Sequence, residues 1–208
     1  MKLILHNYRR CPFCIRTRIV LYLKNIEYEL VNEQLRDWTE WMSQQTDPRV
    51  PMLREIRENG QEIVHRESNN INLWLDSNFG KIEFTPEQDA PEYKSMLDWW
   101  EWCAAQLKPT IDLYKYGEDR VFDKEKHPEY VAALRTLLGE LEIALVGKNY
   151  LLQEKLTLAD IAIIPFIRQI MRTRNGEFDF TDFPRTKVWA GLILEQEWFR
   201  DTIMRKNK

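Results

Sequence analysis

Apolar and polar positions follow two different rhythms along the chain, and the change of rhythm divides it. Lys2 to His6, centred on Leu3-Ile4-Leu5, is an apolar run of strand length. Pro12 to Lys24 then spaces Ile15, Ile19, Tyr22 and Leu23 three and four residues apart, which predicts one buried helix face. Glu27 to Val31 predicts a second strand, and a crossover of this length implies a parallel βαβ unit. Leu35 to Gln45 predicts a weaker helix whose Trp38 and Trp41 pack on the sheet, and Asp47-Pro48 breaks it. Beyond Val50-Pro51, two β-favouring runs flank Asn59-Gly60. That pair predicts a type I′ turn and antiparallel strands, the second running from Glu62 to His65. Ser68 to Phe79 predicts a helix, capped by Ser68, with Ile71, Trp74 and Leu75 facing inward.

The second rhythm is helical throughout. Phe84 to Pro91, with Thr85-Pro86 and Asp89-Ala90-Pro91, has little periodicity and predicts a linker. Glu92 to Tyr114 predicts a long helix holding Trp99, Trp100, Trp102 and Cys103. Three tryptophans so close cannot share one face. Trp99, Trp100, Trp102 and Tyr114 are therefore candidates for an apolar substrate cleft, with inter-domain packing as the other reading, and Cys103 is expected to be a buried, inert thiol. Pro128 to Val146 predicts a further helix. Thr157-Leu158-Ala159-Asp160 predicts a reciprocal cap on an almost wholly apolar helix that Pro165 should kink. The expected division is a domain over 1–80, a linker over 81–91 and a helical domain over 92–208.

Composition narrows the function classes. The 208 residues carry 30 basic and 33 acidic side chains, a formal net charge of -3, which argues against a nucleic-acid partner. Mean hydropathy is -0.53 and no apolar run has the length of a membrane span, so no membrane partner is expected. Arg9 follows the start too closely to leave room for a signal-peptide core, and the expected location is cytoplasmic.

The chemistry gathers at Cys11-Pro12-Phe13-Cys14, where the first strand gives way to the first helix. A thiol at a helix N-terminus meets unpaired N–H groups and the positive end of the macrodipole, both of which favour a thiolate. Pro12 suits the first helical turn. Arg9, Arg10, Arg16 and Arg18 add positive potential. Cys11 is the candidate nucleophile, and Cys14 is placed to resolve a mixed disulfide. No metal is expected, because Cys103 and the scattered His6, His65 and His127 offer no second pair of ligands.

The order β-α-β-α-β-β-α with this cysteine pair resembles the thioredoxin fold. With Val50-Pro51-Met52-Leu53, Glu67-Ser68-Asn69-Asn70-Ile71 and the Thr157-Leu158-Ala159-Asp160 start, the chain resembles the glutathione S-transferase superfamily. The resemblance is to its cysteine-type, omega-like and glutaredoxin-like members, and covers essentially the whole chain. It implies an α/β thioredoxin-like N-terminal domain, an all-α C-terminal domain, a cis Pro51 and glutathione as co-substrate. It also implies that the cis Pro51 turns the backbone of Val50 outward to pair with the cysteinyl part of glutathione, that Ser68 and Glu67 hold its γ-glutamyl end, and that Phe13 and Pro51 border it. Arg36 and Arg49 lie in the region expected to meet the glycyl carboxylate. The expected activity is glutathione-dependent thiol transfer, with glutathione and small disulfides or glutathionylated proteins as partners, in a monomer or homodimer. Conjugation of apolar electrophiles, reduction of a dehydroascorbate-type oxidant and a non-catalytic interaction module are the alternatives.

Overall fold

The computed structural model describes residues 1–34, 37–80, 82–152 and 154–204. Its contacts divide the chain into two compact units: Met1–Phe84 together with the chain from Glu197, and Thr85–Gln196.

In the first unit, β1 (Lys2–Asn7), β2 (Glu29–Asn32), β3 (Met52–Ile56) and β4 (Glu62–Arg66) form a sheet in the order β2-β1-β3-β4. The β1 and β2 strands are parallel, with Leu5 opposite Leu30, while β3 runs antiparallel to both β1 and β4. Helices α1 (Pro12–Leu23) and α3 (Ser68–Asn78) pack on each other. Leu5, Ile19, Leu21, Leu53, Ile71 and Leu75 are fully buried and form the core of this unit. A buried ion pair, Lys24 Nζ to Asp76 Oδ1 at 2.8 Å, ties the end of α1 to α3.

Three local expectations are revised. The hairpin is not type I′: only Gly60 has positive φ (81°), and Gly60 N–H bonds the Arg57 carbonyl at 2.9 Å. This is a type I turn followed by a left-handed glycine, and Asn59 Oδ1 supports it by accepting from Gln61 N–H at 3.0 Å. The helix expected over 35–45 is a single turn, α2 (Glu40–Ser43); Leu35 and Arg36 lie outside the described residues. Trp41 packs on the sheet as expected, lying flat on His6 of β1 with ring centroids 4.3 Å apart. Ser68 is the first helical residue of α3 rather than its cap, and Glu67 takes the cap position.

The second unit is helical. Helix α4 (Pro91–Trp102) continues through a widened π turn, Cys103–Leu107, into α5 (Lys108–Tyr116). Pro109, which has no N–H to donate, opens the resumed α-helical register. The remaining helices of this unit are α6 (His127–Ala144), α7 (Leu158–Arg172) and α8 (Pro184–Leu194). The α7 helix is its centre: Ile161, Ile163, Ile164 and Ile167 are fully buried, and the helix runs through Pro165 without interruption.

The last helix, α9 (Glu197–Met204), belongs to the first unit rather than to the helical domain expected over 92–208. It is fixed on α1 by Tyr22 OH donating to Asp201 Oδ2 at 2.9 Å and by burial of Phe199 and Thr202. Among the described residues no helix is long and apolar enough to cross a membrane.

Candidate active site

Cys11 is the cap residue of α1. Its backbone is extended (φ -69°, ψ 122°), its carbonyl accepts the first helical bond from Ile15, and its N–H closes a turn onto the Tyr8 carbonyl at 3.0 Å. Pro12 follows at the first helical position, where no N–H is needed. Cys14 lies one turn on, fully buried, and its sulfur accepts the Tyr8 N–H at 3.3 Å.

The two sulfurs are not equivalent. The Cys11 thiol is lowered from 9.0 to about 7, chiefly because the Cys14 thiol donates to its sulfur. Burial opposes that shift, while the N–H groups of Cys14 and Phe13 and the charge of Arg16 add to it. Cys14 is pushed up, first by burial and then by Cys11 itself. The half-buried cysteine at the helix start therefore carries the charge and the buried one keeps its proton.

Across from α1, the peptide Val50-Pro51 is cis, and the Val50 carbonyl oxygen lies 4.0 Å from the Cys11 sulfur. Val50, Pro51 and Phe13 line a cavity of about 240 Å³ together with Glu67 and Ser68 at the start of α3. Glu67 is held at φ 61°, a left-handed backbone uncommon for a residue with a side chain. Ser68 is 4 % exposed, and its Oγ accepts from Arg16 Nη1 at 3.2 Å. The same guanidinium reaches Asn69 Oδ1 at 3.3 Å and lies 5.0 Å from the Phe13 ring centre.

Asp47, Arg49, Met52 and Arg66 complete the wall. Arg49 is spent on Asp47, its Nη2 2.7 Å from Oδ2. Arg66 bonds the Asp47 carbonyl and Gln45 Oε1, at 3.0 and 2.9 Å, and has no carboxylate partner among the described residues. The cavity thus has a thiol at one side, two helix N-termini and a cation with no carboxylate partner among the described residues. That is an arrangement for a small anionic thiol compound. Arg66 and the bridging role of Arg16 were not read from the sequence. The signal for Arg66 was its place directly before Glu67 at the end of a strand.

Residues 5–86 match the glutathione S-transferase N-terminal domain family and residues 108–197 its C-terminal domain family. The chain belongs to the glutathione S-transferase superfamily. It is 27 % identical to the omega-1 glutathione S-transferase of Rattus norvegicus, over 91 % of this chain and 76 % of that one. It is also 27 % identical to a probable glutathione S-transferase of Nicotiana tabacum, over 93 % of this chain and 86 % of that one. Among solved structures, a glutathione transferase family member from Pseudomonas fluorescens with two glutathione bound superposes with a TM-score of 0.81. That pair is 21 % identical, covering 97 % of this chain and 92 % of the other. This likeness shows the transferase fold.

The transferase's helical unit holds the aromatic residues expected at a cleft, and it uses most of them for packing. Trp100, Trp102 and Tyr114 are 8 %, 8 % and 1 % exposed. The Trp100 indole donates to the Leu158 carbonyl at 3.2 Å and that of Trp102 to Glu140 Oε2 at 2.7 Å. The Tyr114 ring packs against Phe178 and lies under the Arg174 guanidinium. Trp99 is half-buried, edge-on to Trp102 with ring centres 5.0 Å apart. An open cleft built from all four is therefore corrected: three of them are internal struts. Cys103 is fully buried against the Ala162 carbonyl.

Proposed function

We propose that this transferase is a glutathione-dependent thiol transferase, a thiol–disulfide oxidoreductase that removes glutathionyl groups through a mixed disulfide on Cys11. One observation carries the reading: the Cys11 sulfur, at a helix N-terminus beside the cavity, is lowered to about 7. Near neutral pH about half of such a thiol is ionised, against about one part in a hundred at 9.0. The thiolate attacks the glutathione sulfur of a mixed disulfide R–S–SG, a Cys11–SG bond forms, and RS⁻ leaves with the electron pair of the old bond. A second glutathione thiolate then attacks Cys11–SG, releasing Cys11 as thiolate and glutathione disulfide as product. The low pKa serves both steps, as attacker and as leaving group.

Glutathione is the co-substrate on this reading. Its γ-glutamyl carboxylate meets the N-terminus of α3 and the Ser68 hydroxyl, and its ammonium group meets Glu67. Its cysteinyl backbone pairs with Val50, and Phe13 and Pro51 flank it. Arg66 supplies a cation for the remaining carboxylate, since Arg49 is held by Asp47. Support comes from the omega-1 relatives of rat and pig and from structural neighbours crystallised with glutathione or glutathione disulfide.

The test is reduction of a small glutathione mixed disulfide at fixed glutathione. Cys11→Ser should abolish it and Cys14→Ser should leave much of it. A wild type that conjugates an aryl halide but reduces no disulfide would overturn the reading.

A further inference from the structure

Arg16 and Arg18 stand two residues apart on α1 and so leave the helix on opposite sides. Arg16 turns to Ser68, beside Cys11. Arg18 lies one turn beyond Cys14 on the same side of the helix, at a spacing that makes side chains neighbours. It is fully buried. Its Nη2 donates to the Arg9 carbonyl at 2.8 Å, while Nε and Nη1 have no hydrogen-bond partner among the described residues. No ion pair of the described residues includes it. A guanidinium placed out of water with two nitrogens unspent is costly unless a negative charge forms beside it.

The groups that bear on Arg18 are few. Burial weakens its hold on the proton; Cys14 is the first to oppose that, ahead of Tyr28 and Cys11, and Arg9 adds to the burial effect. The Cys14 sulfur in turn accepts the Tyr8 N–H and feels the charges of Cys11, which holds its proton on, and of Arg18, which draws it off. The acidic groups that reach α1 from its packing partners lie further along it: Asp76 of α3 on Lys24, and Asp201 and Glu197 of α9 near Tyr22.

We infer that Arg18 is the counter-charge of Cys14: once Cys11 carries a glutathionyl group, the guanidinium holds Cys14 as the thiolate that displaces glutathione. The inference rests on the mixed-disulfide reading above and extends it to a resolving step with its own positioning residue. In the free dithiol, an ionised Cys11 opposes ionisation of Cys14. In the mixed disulfide Cys11 is neutral, so the Tyr8 N–H and Arg18 remain to stabilise the second thiolate. Cys14 loses its proton to solvent and attacks the Cys11 sulfur. The Cys11–SG bond breaks, a Cys11–Cys14 disulfide forms, and glutathione leaves as the thiolate. The pair is oxidised by the two electrons that the incoming glutathione mixed disulfide has accepted.

The experiment loads reduced protein with one equivalent of a small glutathione mixed disulfide and follows glutathione release from Cys11 against pH. Arg18→Gln and Arg18→Met both remove the charge, so either one that folds serves, and Arg18→Lys keeps it. The neutral variants should raise the midpoint of release by about one unit. A one-unit rise cuts the thiolate about tenfold and restores about threefold in nucleophilicity, so release near pH 7 slows about threefold. Arg18→Lys should stay close to wild type. A midpoint unchanged in the neutral variants, or moved as far by Arg18→Lys, overturns the role of Arg18. Failure of wild-type Cys11 to take up glutathione at all overturns the mixed-disulfide reading, and this inference with it.

Discussion

Nη1 of Arg16 lies 3.2 Å from Oγ of Ser68, so the helix that carries Cys11 is bonded to the first residue of the helix that closes the cavity. One guanidinium thereby acts on both halves of the site, lowering Cys11 through space and fixing the hydroxyl at the start of α3. Arg16→Met should raise the midpoint of Cys11 alkylation by about half a unit to one unit. It should also raise KM for glutathione about tenfold, the scale of one lost hydrogen bond to a charged group. Arg16→Lys should keep most of the charge effect on Cys11 while losing the shared contact of Nη1 to Ser68 and Asn69. Alkylation against pH and the KM of each variant decide it; a KM that stays put in Arg16→Met removes Arg16 from the binding site.

Cys11 alkylation by a small haloacetamide should rise through a midpoint of about 7 and level off about a unit and a half higher. The sign follows from the lowering: the reactive thiolate is present above the midpoint and lost as pH falls through it. The largest cause is the Cys14 thiol donating to Cys11, so Cys14→Ala should move the midpoint upward by about one unit. A midpoint at or above 9.0 in wild type would place Cys11 among ordinary thiols.

Local chemistry was legible in the sequence wherever one residue type could meet the requirement. Pro12 after a cysteine marked the start of α1, and Thr157 with Asp160 marked the start of α7, because caps use short-range bonds between residues three or four apart. Two of the three strand pairings were legible as well, β1 with β2 from crossover length and β3 with β4 from hairpin spacing, whereas the antiparallel β1–β3 pairing that joins them left no spacing to read. Pairings across tens of residues left no periodic trace. The buried pair of Lys24 with Asp76 had no signal at all, Trp74 looked like core but stacks on His65 at 4.0 Å, and α9 looked like the end of the helical domain. At the site, Arg16 and Arg18 read as one basic cluster. Only the helix geometry separates them, sending one to Ser68 and the other to the side of Cys14.

Asp160 predicts a large stability effect outside the site. Its Oδ1 accepts from Leu151 N–H and the Trp189 indole, both at 2.9 Å, and its Oδ2 from Thr157 N–H at 2.9 Å and Thr157 Oγ at 2.8 Å. The carboxylate thus joins a loop, a cap and α8 to the buried α7. Asp160→Ala leaves those donors unpaired and should cost about 3–5 kcal/mol, whereas Thr157→Ala, losing one cap, should cost about 1–2 kcal/mol. Urea unfolding of the two variants gives the comparison; equal costs would mean that Asp160 acts only as a capping partner.

The His6–Glu33 pair makes stability depend on pH. His6 Nδ1 lies 2.6 Å from Glu33 Oε1, both side chains are buried, and Glu33 also accepts from Thr39 N–H and Oγ at 2.9 and 2.7 Å. Burial lowers His6 below 6.5 against the pull of Glu33, and its Nε2 has no partner among the described residues to receive a second proton's charge. Burial pushes Glu33 up, but the bonds from His6 and Thr39 outweigh it and hold the carboxyl below 4.5. Both groups therefore bind protons less readily folded than unfolded, so their stabilisation is complete above 6.5 and is lost as pH falls, first through His6 and then below 4.5 through Glu33. Each unit of difference is worth about 1.4 kcal/mol. Denaturant midpoints of the wild type should drop between about pH 7.5 and pH 5, and His6→Gln, less stable at neutral pH, should lose the upper part of that drop. A variant whose stability falls as steeply as that of wild type over this range would assign the acid sensitivity to other groups.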